Sequence, residues 1–176
     1  MTYSEINTLA EKYALTYNPD KLTPFPYENV TNAHENLDIL YIDPEDDAMS
    51  GVILYEEKED KFSIFINATK HANRQHFTLG HELGHYFLHQ EILKREHGFI
   101  DQDDSLDSRN ILYRLDDAEQ NRYETEANHF AAGLLMPSQL VHEAWEVVHD
   151  IEECAKLFNV STIAMSIRLT ELELVS

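Results

Sequence analysis

The sequence contains little cysteine, little positive charge and no long apolar run. Its 176 residues include one cysteine, Cys154, which cannot form an internal disulfide and so indicates a reducing compartment. No window approaches the ~18 uninterrupted apolar residues that a membrane-spanning helix needs, so we expect no membrane span. The N-terminus lacks the basic start and apolar core of a secretory signal. We therefore expect a cytoplasmic protein.

Basic residues are far outnumbered by acidic ones. The chain has 33 Asp and Glu against 13 Lys and Arg, which gives a formal net charge of −20. Binding to nucleic acid requires several cationic contacts with phosphates, and a surface of this charge repels them. We therefore predict no direct binding of nucleic acid. The acidity either keeps the protein in solution or attracts a basic partner such as a DNA-binding protein.

The hydrophobic residues, 43% of the chain, are spaced in patterns typical of a folded α+β protein. Helical spacing predicts helices over 3–17, 71–90, 123–136 and 138–148, with two short ones in 151–172. Strand patterns occur at 37–42, 50–55 and 61–67. We predict that the last two strands form a hairpin at a sheet edge.

The segment 96–117 is polar and acidic and shows no period, which predicts a loop or mobile flap. No linker in the chain is long enough to separate two domains. The sequence therefore predicts one domain over 1–176, with a helical tail from about 138 to 176 packed on it.

Residues 81 to 85 are the most informative about function, because they read His81-Glu-Leu-Gly-His85. Positions i and i+4 of a helix share one face, so the imidazoles of His81 and His85 can reach the same metal ion. Glu82 lies about 100° further round the helix, where it can take a proton from water that the metal activates. We predict Zn²⁺ as the cofactor, His81 and His85 as ligands, and Glu82 as the general base.

A catalytic zinc site takes a third protein ligand and leaves a fourth position for water. The longer histidine motif does not supply the third ligand, because Glu91 stands where its last histidine would be. His89 lies too far along a straight helix to reach the same ion. We predict Glu124 as the third ligand and keep Glu126 as the alternative. Asn128 shares a helix face with Glu124 and can accept a hydrogen bond from a ligand histidine.

Two blocks of the sequence together resemble the ImmA/IrrE family of metallo-endopeptidases. They read Arg74-Gln-His-Phe-Thr-Leu-Gly-His-Glu-Leu-Gly-His-Tyr-Phe-Leu-His89 and Glu124-Thr-Glu-Ala-Asn-His-Phe-Ala-Ala-Gly-Leu-Leu-Met-Pro137. The resemblance covers most of 50–170. It implies the layout of gluzincin peptidases, in which a small, mainly antiparallel sheet packs on an active-site helix and a glutamate-ligand helix.

The resemblance also implies a zinc-dependent, site-specific protease of mobile elements or stress responses, in several cases an anti-repressor that cleaves a helix-turn-helix repressor. We therefore predict a zinc endopeptidase whose protein partner is a basic helix-turn-helix repressor. The alternative is a zinc-containing protein that sequesters a repressor without cleaving it, although holding a metal would not require Glu82. The group that stabilises the oxyanion is left open among Tyr113, Tyr123, His129 and the 96–117 segment.

Overall fold

A computed structural model describes residues 1–45, 48–102 and 117–175, without the side chains of 98–102 and 117–120. None of the helices in these ranges is long and apolar enough to cross a membrane. In chain order the elements are α1 (Tyr3–Tyr17), α2 (Glu28–Ala33), β1 (Leu37–Ile42), β2 (Met49–Glu56), β3 (Lys61–Asn67), α3 (Ala72–Leu88), α4 (Gln90–Glu96), β4 (Gly98–Gln102), α5 (Asp117–Leu135), α6 (Ser138–Val148), α7 (Ile151–Phe158) and α8 (Thr162–Glu171).

The four strands form one mixed sheet in the order β1-β3-β2-β4. The β1–β3 pair is parallel, and the β2–β3 and β2–β4 pairs are antiparallel. The predicted α+β fold with a mainly antiparallel sheet is therefore confirmed. The β2–β3 hairpin is also confirmed, with Ile53 opposite Ile64. Its predicted place at the sheet edge is wrong, because β1 and β4 flank it on both sides.

Strand β4 corrects the prediction that 96–117 is a loop throughout. Gly98–Gln102 pairs with β2, where Phe99 lies opposite Ile53, and this pairing makes β4 an edge strand. A short edge strand can form on the hydrogen-bonding groups of its neighbour, so it need not show an alternating pattern of its own. The predicted flap residues 103–116 lie outside the described residues.

Helix α5 makes close backbone approaches to two other helices, each at a glycine. A Cβ added to Gly84 of α3 would lie 2.9 Å from the Cα of Ala127, and one added to Gly133 of α5 would lie 2.9 Å from the Cβ of Ala10 on α1. Both separations are too short for a real side chain, so the helices can pack this closely only because glycine has no Cβ. Helix α3 is thereby held against the middle of α5.

Arg168 of α8 fixes the helical tail to the rest of the chain. Its guanidinium is buried and donates from Nη2 to Oε1 of Glu11 at 2.6 Å and from Nε to the carbonyl of Met136 at 3.0 Å. A buried charge needs such partners to offset its desolvation. These contacts support the predicted single domain over 1–176, which stays a prediction. Arg168 is the only Lys or Arg in the 161–172 segment, and these contacts keep it buried.

Candidate metal centre

Helix α3 carries the three residues of the predicted catalytic motif within one buried turn. His81 and His85 are at most 3% exposed, and Glu82 is fully buried. The Nε2 atoms of the two histidines lie 3.0 Å apart, as their i and i+4 positions on one helix face require. The structure therefore brings together the two imidazoles that the sequence pairs.

Glu124 of α5 completes this group from across the α3–α5 contact. Its Oε2 lies 3.1 Å from Nε2 of His81, and its Oε1 lies 3.5 Å from Nε2 of His85. This carboxylate can reach the histidines because Gly84, next to His85, allows α5 to approach α3 closely at Ala127. Glu124 and Ala127 are three residues apart and so share the face of α5 that meets α3.

The three side chains suit a tetrahedral metal ion in their spacing. One ligand atom from each of His81, His85 and Glu124 lies within 4.8 Å of the others. Two ligands bonded to a tetrahedral zinc at 2.0–2.1 Å are about 3.3 Å apart, close to the separations observed between the histidine nitrogens and the carboxylate oxygens.

Their proton distribution also suits a cation. His81 Nδ1 lies 2.9 Å from Oδ1 of Asn128, an acceptor, so Nδ1 carries the ring proton and a neutral ring presents a lone pair at Nε2. Burial lowers the pKa of His85 to about 4, so this ring is neutral at physiological pH. Two nitrogen lone pairs and a carboxylate that face one another are a donor set for a divalent metal. The roles of these residues as ligands stay a prediction.

Glu124 is held in the charged form that metal binding requires. Burial by itself raises the pKa of this carboxyl, but its contacts with the rings of His81 and His85 outweigh burial and lower the pKa well below its usual value. The carboxylate is therefore ionised across the physiological range and can bind a cation without first losing a proton.

Glu82 lies on another side of α3, against the sheet. A Cβ added to Gly51 of β2 would lie 3.0 Å from Oε1 of Glu82 and 2.5 Å from Cγ2 of Thr78. Gly51 thus leaves the space that the Glu82 side chain needs between helix and strand. Glu82 follows His81 in the sequence and so lies about 100° round the helix from it, and its role as a base stays a prediction.

The structure gives Glu126, the alternative third ligand, a different environment. Its Oε2 lies 3.0 Å from Nε2 of His89, and its Oε1 accepts a hydrogen bond from Nε of Arg122 at 2.8 Å. Burial raises the pKa of Glu126, but the bonds to His89 and Arg122 lower it overall. Among the described residues, the candidate metal group contains Glu124 and not Glu126.

His89, which the sequence predicted not to be a ligand, is a functional candidate for another reason. It is 4% exposed, and its Nδ1 lies 3.0 Å from Nδ1 of His85. The sequence carried a signal for this contact, because His89 follows His85 by four residues and so shares its helix face. At this spacing His89 is too far along the helix to bind the same ion as His81. It is close enough to contact the ring of His85, a proposed ligand.

The three named oxyanion candidates are in different surroundings. Tyr113 lies outside the described residues. The ring of Tyr123 meets the ring of His89 edge-on, with centroids 4.8 Å apart, and the ring of His129 stacks on Tyr3 at 4.3 Å. Of Tyr123 and His129, only His129 lines the cleft described next.

An apolar cleft of about 350 Å³ adjoins the candidate metal centre. It lies between α3, α5 and α8, and its lining includes Phe77, Ala132, Met136, Ala164 and Ile167, with Asn128 at one side. Ile167 is 56% exposed, although it is a large apolar residue. Because Asn128 also contacts His81, the cleft begins beside the metal-binding group and could hold an apolar side chain there.

Comparison with known families agrees with this arrangement. Residues 34–170, more than half of the chain, match the family Peptidase M78, described as the IrrE N-terminal-like domain. The chain belongs to this family. The matched range contains His81, Glu82, His85 and Glu124, and the resemblance to ImmA/IrrE peptidases inferred from the motif blocks is confirmed.

Two individual proteins extend the comparison. The chain is 27% identical over 125 residues to metallopeptidase ImmA of Bacillus subtilis (strain 168), a match that covers 70% of this chain and 64% of the relative. The match thus spans less than two thirds of the relative's length. A solved structure of a Mycobacterium tuberculosis transcriptional regulator superposes with a TM-score of 0.61 at 14% identity, covering 94% of this chain and 47% of the other. The latter likeness concerns the fold alone.

Proposed function

We propose that this peptidase-family protein is a zinc-dependent endopeptidase that cleaves a specific protein substrate. The observation that carries the proposal is the convergence of His81, His85 and Glu124, whose donor atoms lie within 4.8 Å of one another at the α3–α5 contact. The buried Glu82 beside them supplies a base, which a site that only stores metal does not need.

The proposed chemistry divides the work between the ion and the side chains. Zn²⁺ supplies Lewis acidity, which acidifies water and polarises a peptide carbonyl. His81, His85 and Glu124 would hold the ion through two imidazole nitrogens and a carboxylate. Glu82 takes a proton from the attacking water and returns it to the leaving amine. The burial of Glu82 and its confinement at Gly51 keep its carboxylate in place through both transfers.

We propose a basic helix-turn-helix repressor in the cytoplasm as the substrate. The net charge of −20 favours encounter with a basic protein over encounter with nucleic acid. The apolar cleft beside Asn128 offers a place for an apolar side chain next to the bond that is cut. Family membership supports a peptidase, and the repressor is the narrower part of the proposal.

The test compares the wild type with Glu82→Gln at equal zinc content. Each purified protein is incubated with tagged helix-turn-helix repressors of the same genome, and mass spectrometry identifies any new terminus. We expect defined cleavage by the wild type and a rate lower by about 10²–10⁴-fold for Glu82→Gln, because the base is lost while the ligands remain. Glu91→Gln, which alters an exposed glutamate of α4, is the matched control and keeps wild-type activity.

The same experiment separates cleavage from sequestration. If wild type and Glu82→Gln release a repressor from its operator equally and neither generates a new terminus, the protein binds its partner without hydrolysis. If the purified wild type holds no zinc and cleaves no repressor, the proposed function is wrong.

A further inference from the structure

We infer that His89 and Glu126 form a relay that positions His85, by holding its ring in the tautomer that has its proton on Nδ1 and its lone pair on Nε2. The inference rests on the proposed function, since it assigns two positioning residues to the proposed zinc site. It is carried by three successive contacts: Arg122 Nε to Glu126 Oε1 at 2.8 Å, Glu126 Oε2 to His89 Nε2 at 3.0 Å, and His89 Nδ1 to His85 Nδ1 at 3.0 Å.

The direction of each hydrogen bond follows from the charge at one end. The Arg122 guanidinium can only donate, so Glu126 accepts at Oε1 as a carboxylate, and its Oε2 accepts in turn. His89 must then donate from Nε2–H, which in a neutral ring leaves a lone pair at Nδ1. That lone pair accepts the Nδ1–H of His85, so Nε2 of His85 carries no proton and faces Glu124. The permanent charge of Arg122 thus sets the tautomer of His85, three contacts away.

The end of α3 gives His89 the geometry for this role. His89 is the C-cap of the helix, with φ −126° and ψ 24°, and its backbone N–H donates to the carbonyl of His85 at 2.9 Å. The side chain stays buried over the preceding turn, in ring contact with Tyr123. His81 has its own partner in Asn128, so both proposed ligand histidines are held at the nitrogen that faces away from Glu124.

The relay is tested by two measurements, nitrogen-15 NMR of the histidine tautomers in the metal-free protein and zinc affinity by chelator competition. In the wild type we expect the proton of His85 on Nδ1 and that of His89 on Nε2. We expect His89→Ala to bind zinc about 10–100-fold more weakly, the usual effect of losing a partner that orients a ligand. The exposed His142→Ala is the matched control and leaves the affinity unchanged.

Glu126→Gln tests the direction of the hydrogen bonds. A glutamine side chain has one acceptor oxygen, whereas Arg122 and His89 both donate to Glu126. Arg122 takes that oxygen, so the amide NH₂ turns toward His89 and reverses both tautomers, placing a proton on Nε2 of His85. We expect zinc affinity to fall by about 10–100-fold and to recover in Arg122→Ala/Glu126→Gln, where the oxygen can turn to His89.

The outcomes separate the relay from the proposed function. Wild-type His85 with its proton on Nε2, or His89→Ala with wild-type zinc affinity, overturns the relay. A wild type that binds no zinc while its tautomers are as expected overturns the proposed function and leaves the relay intact as a hydrogen-bond chain.

Discussion

The N-terminal and C-terminal halves of α3 both carry histidines, but the surroundings of the ring nitrogens differ between the two halves. In the N-terminal half, His76 has a buried Nε2 with no hydrogen-bond partner in the described part of the chain, and its ring meets Tyr27 edge-on at 4.9 Å between centroids. In the C-terminal half, His81, His85 and His89 each have a polar partner at a ring nitrogen. His76 is partly exposed whereas the other three are buried, so the halves differ both in the burial and in the polar partners of their histidines.

This difference shows which signal points to a site. Burial lowers the pKa of His76 and of His85 to about 4 alike, so a perturbed pKa does not distinguish them. A partner at the second nitrogen does, because it holds the ring in one tautomer and one orientation, as a metal ligand requires. The experiments below act on this contrast, in order of decreasing effect.

The largest effect is expected from removing a carboxylate on α5. Glu124→Ala deletes an oxygen donor that faces both histidines, so we expect zinc affinity to fall by more than about 100-fold. Glu126→Ala removes a partner of His89 and of Arg122 but no proposed metal ligand, so the loss of zinc affinity stays within about 10–100-fold. Both are measured by chelator competition and metal analysis. If Glu126→Ala empties the site and Glu124→Ala does not, the assignment of Glu124 is wrong.

A smaller effect is expected from separating the helices that carry the site. In Gly84→Ala the new Cβ would meet the backbone of Ala127 at 2.9 Å, so α3 and α5 must move apart. We expect a loss of about 1–3 kcal/mol in the free energy of unfolding of the metal-free protein, together with weaker zinc binding. Urea unfolding and chelator competition measure the two.

Gly133→Ala is the matched control for this change. Its new Cβ would lie 2.9 Å from the Cβ of Ala10, the same separation as at Gly84, but at the α1–α5 contact, away from the metal group. It is expected to lower stability while leaving the zinc affinity of the folded protein unchanged. Equal losses of zinc affinity in both variants would contradict a specific role for the Gly84 contact.

The smallest effect concerns His76, which has no place in the site. Its folded pKa of about 4 lies below the usual value of 6.5, so the unfolded chain binds a proton first and stability falls as the pH drops from 6.5 toward 4. His76→Phe removes this dependence. We expect its stability relative to wild type to rise by about 1 kcal/mol between pH 7.5 and pH 5, measured by urea unfolding. A stability difference that does not change with pH would show that His76 does not titrate this way.

Local patterns predicted the elements that depend on local interactions. Helix α1 spans Tyr3–Tyr17 as its spacing indicated, and a capping box between Thr2 and Glu5 begins it. Strands β1 and β3 also have their predicted bounds. Strand β4 was missed, because it depends on hydrogen bonds from β2 rather than on its own side-chain pattern. For the same reason the position of the β2–β3 hairpin in the sheet was wrong.

The sequence by itself determined that His81 and His85 share one helix face and that Glu82 lies beside them, because these relations follow from the 3.6-residue turn. Only the tertiary structure decided which carboxylate of α5 meets the histidines and what His89 contacts. Glu124 and Glu126 are two residues apart, about 200° round their helix, so they face different neighbours once α5 packs on α3. That packing depends on Gly84 and Ala127, which are distant in sequence, and no local rule specifies their contact.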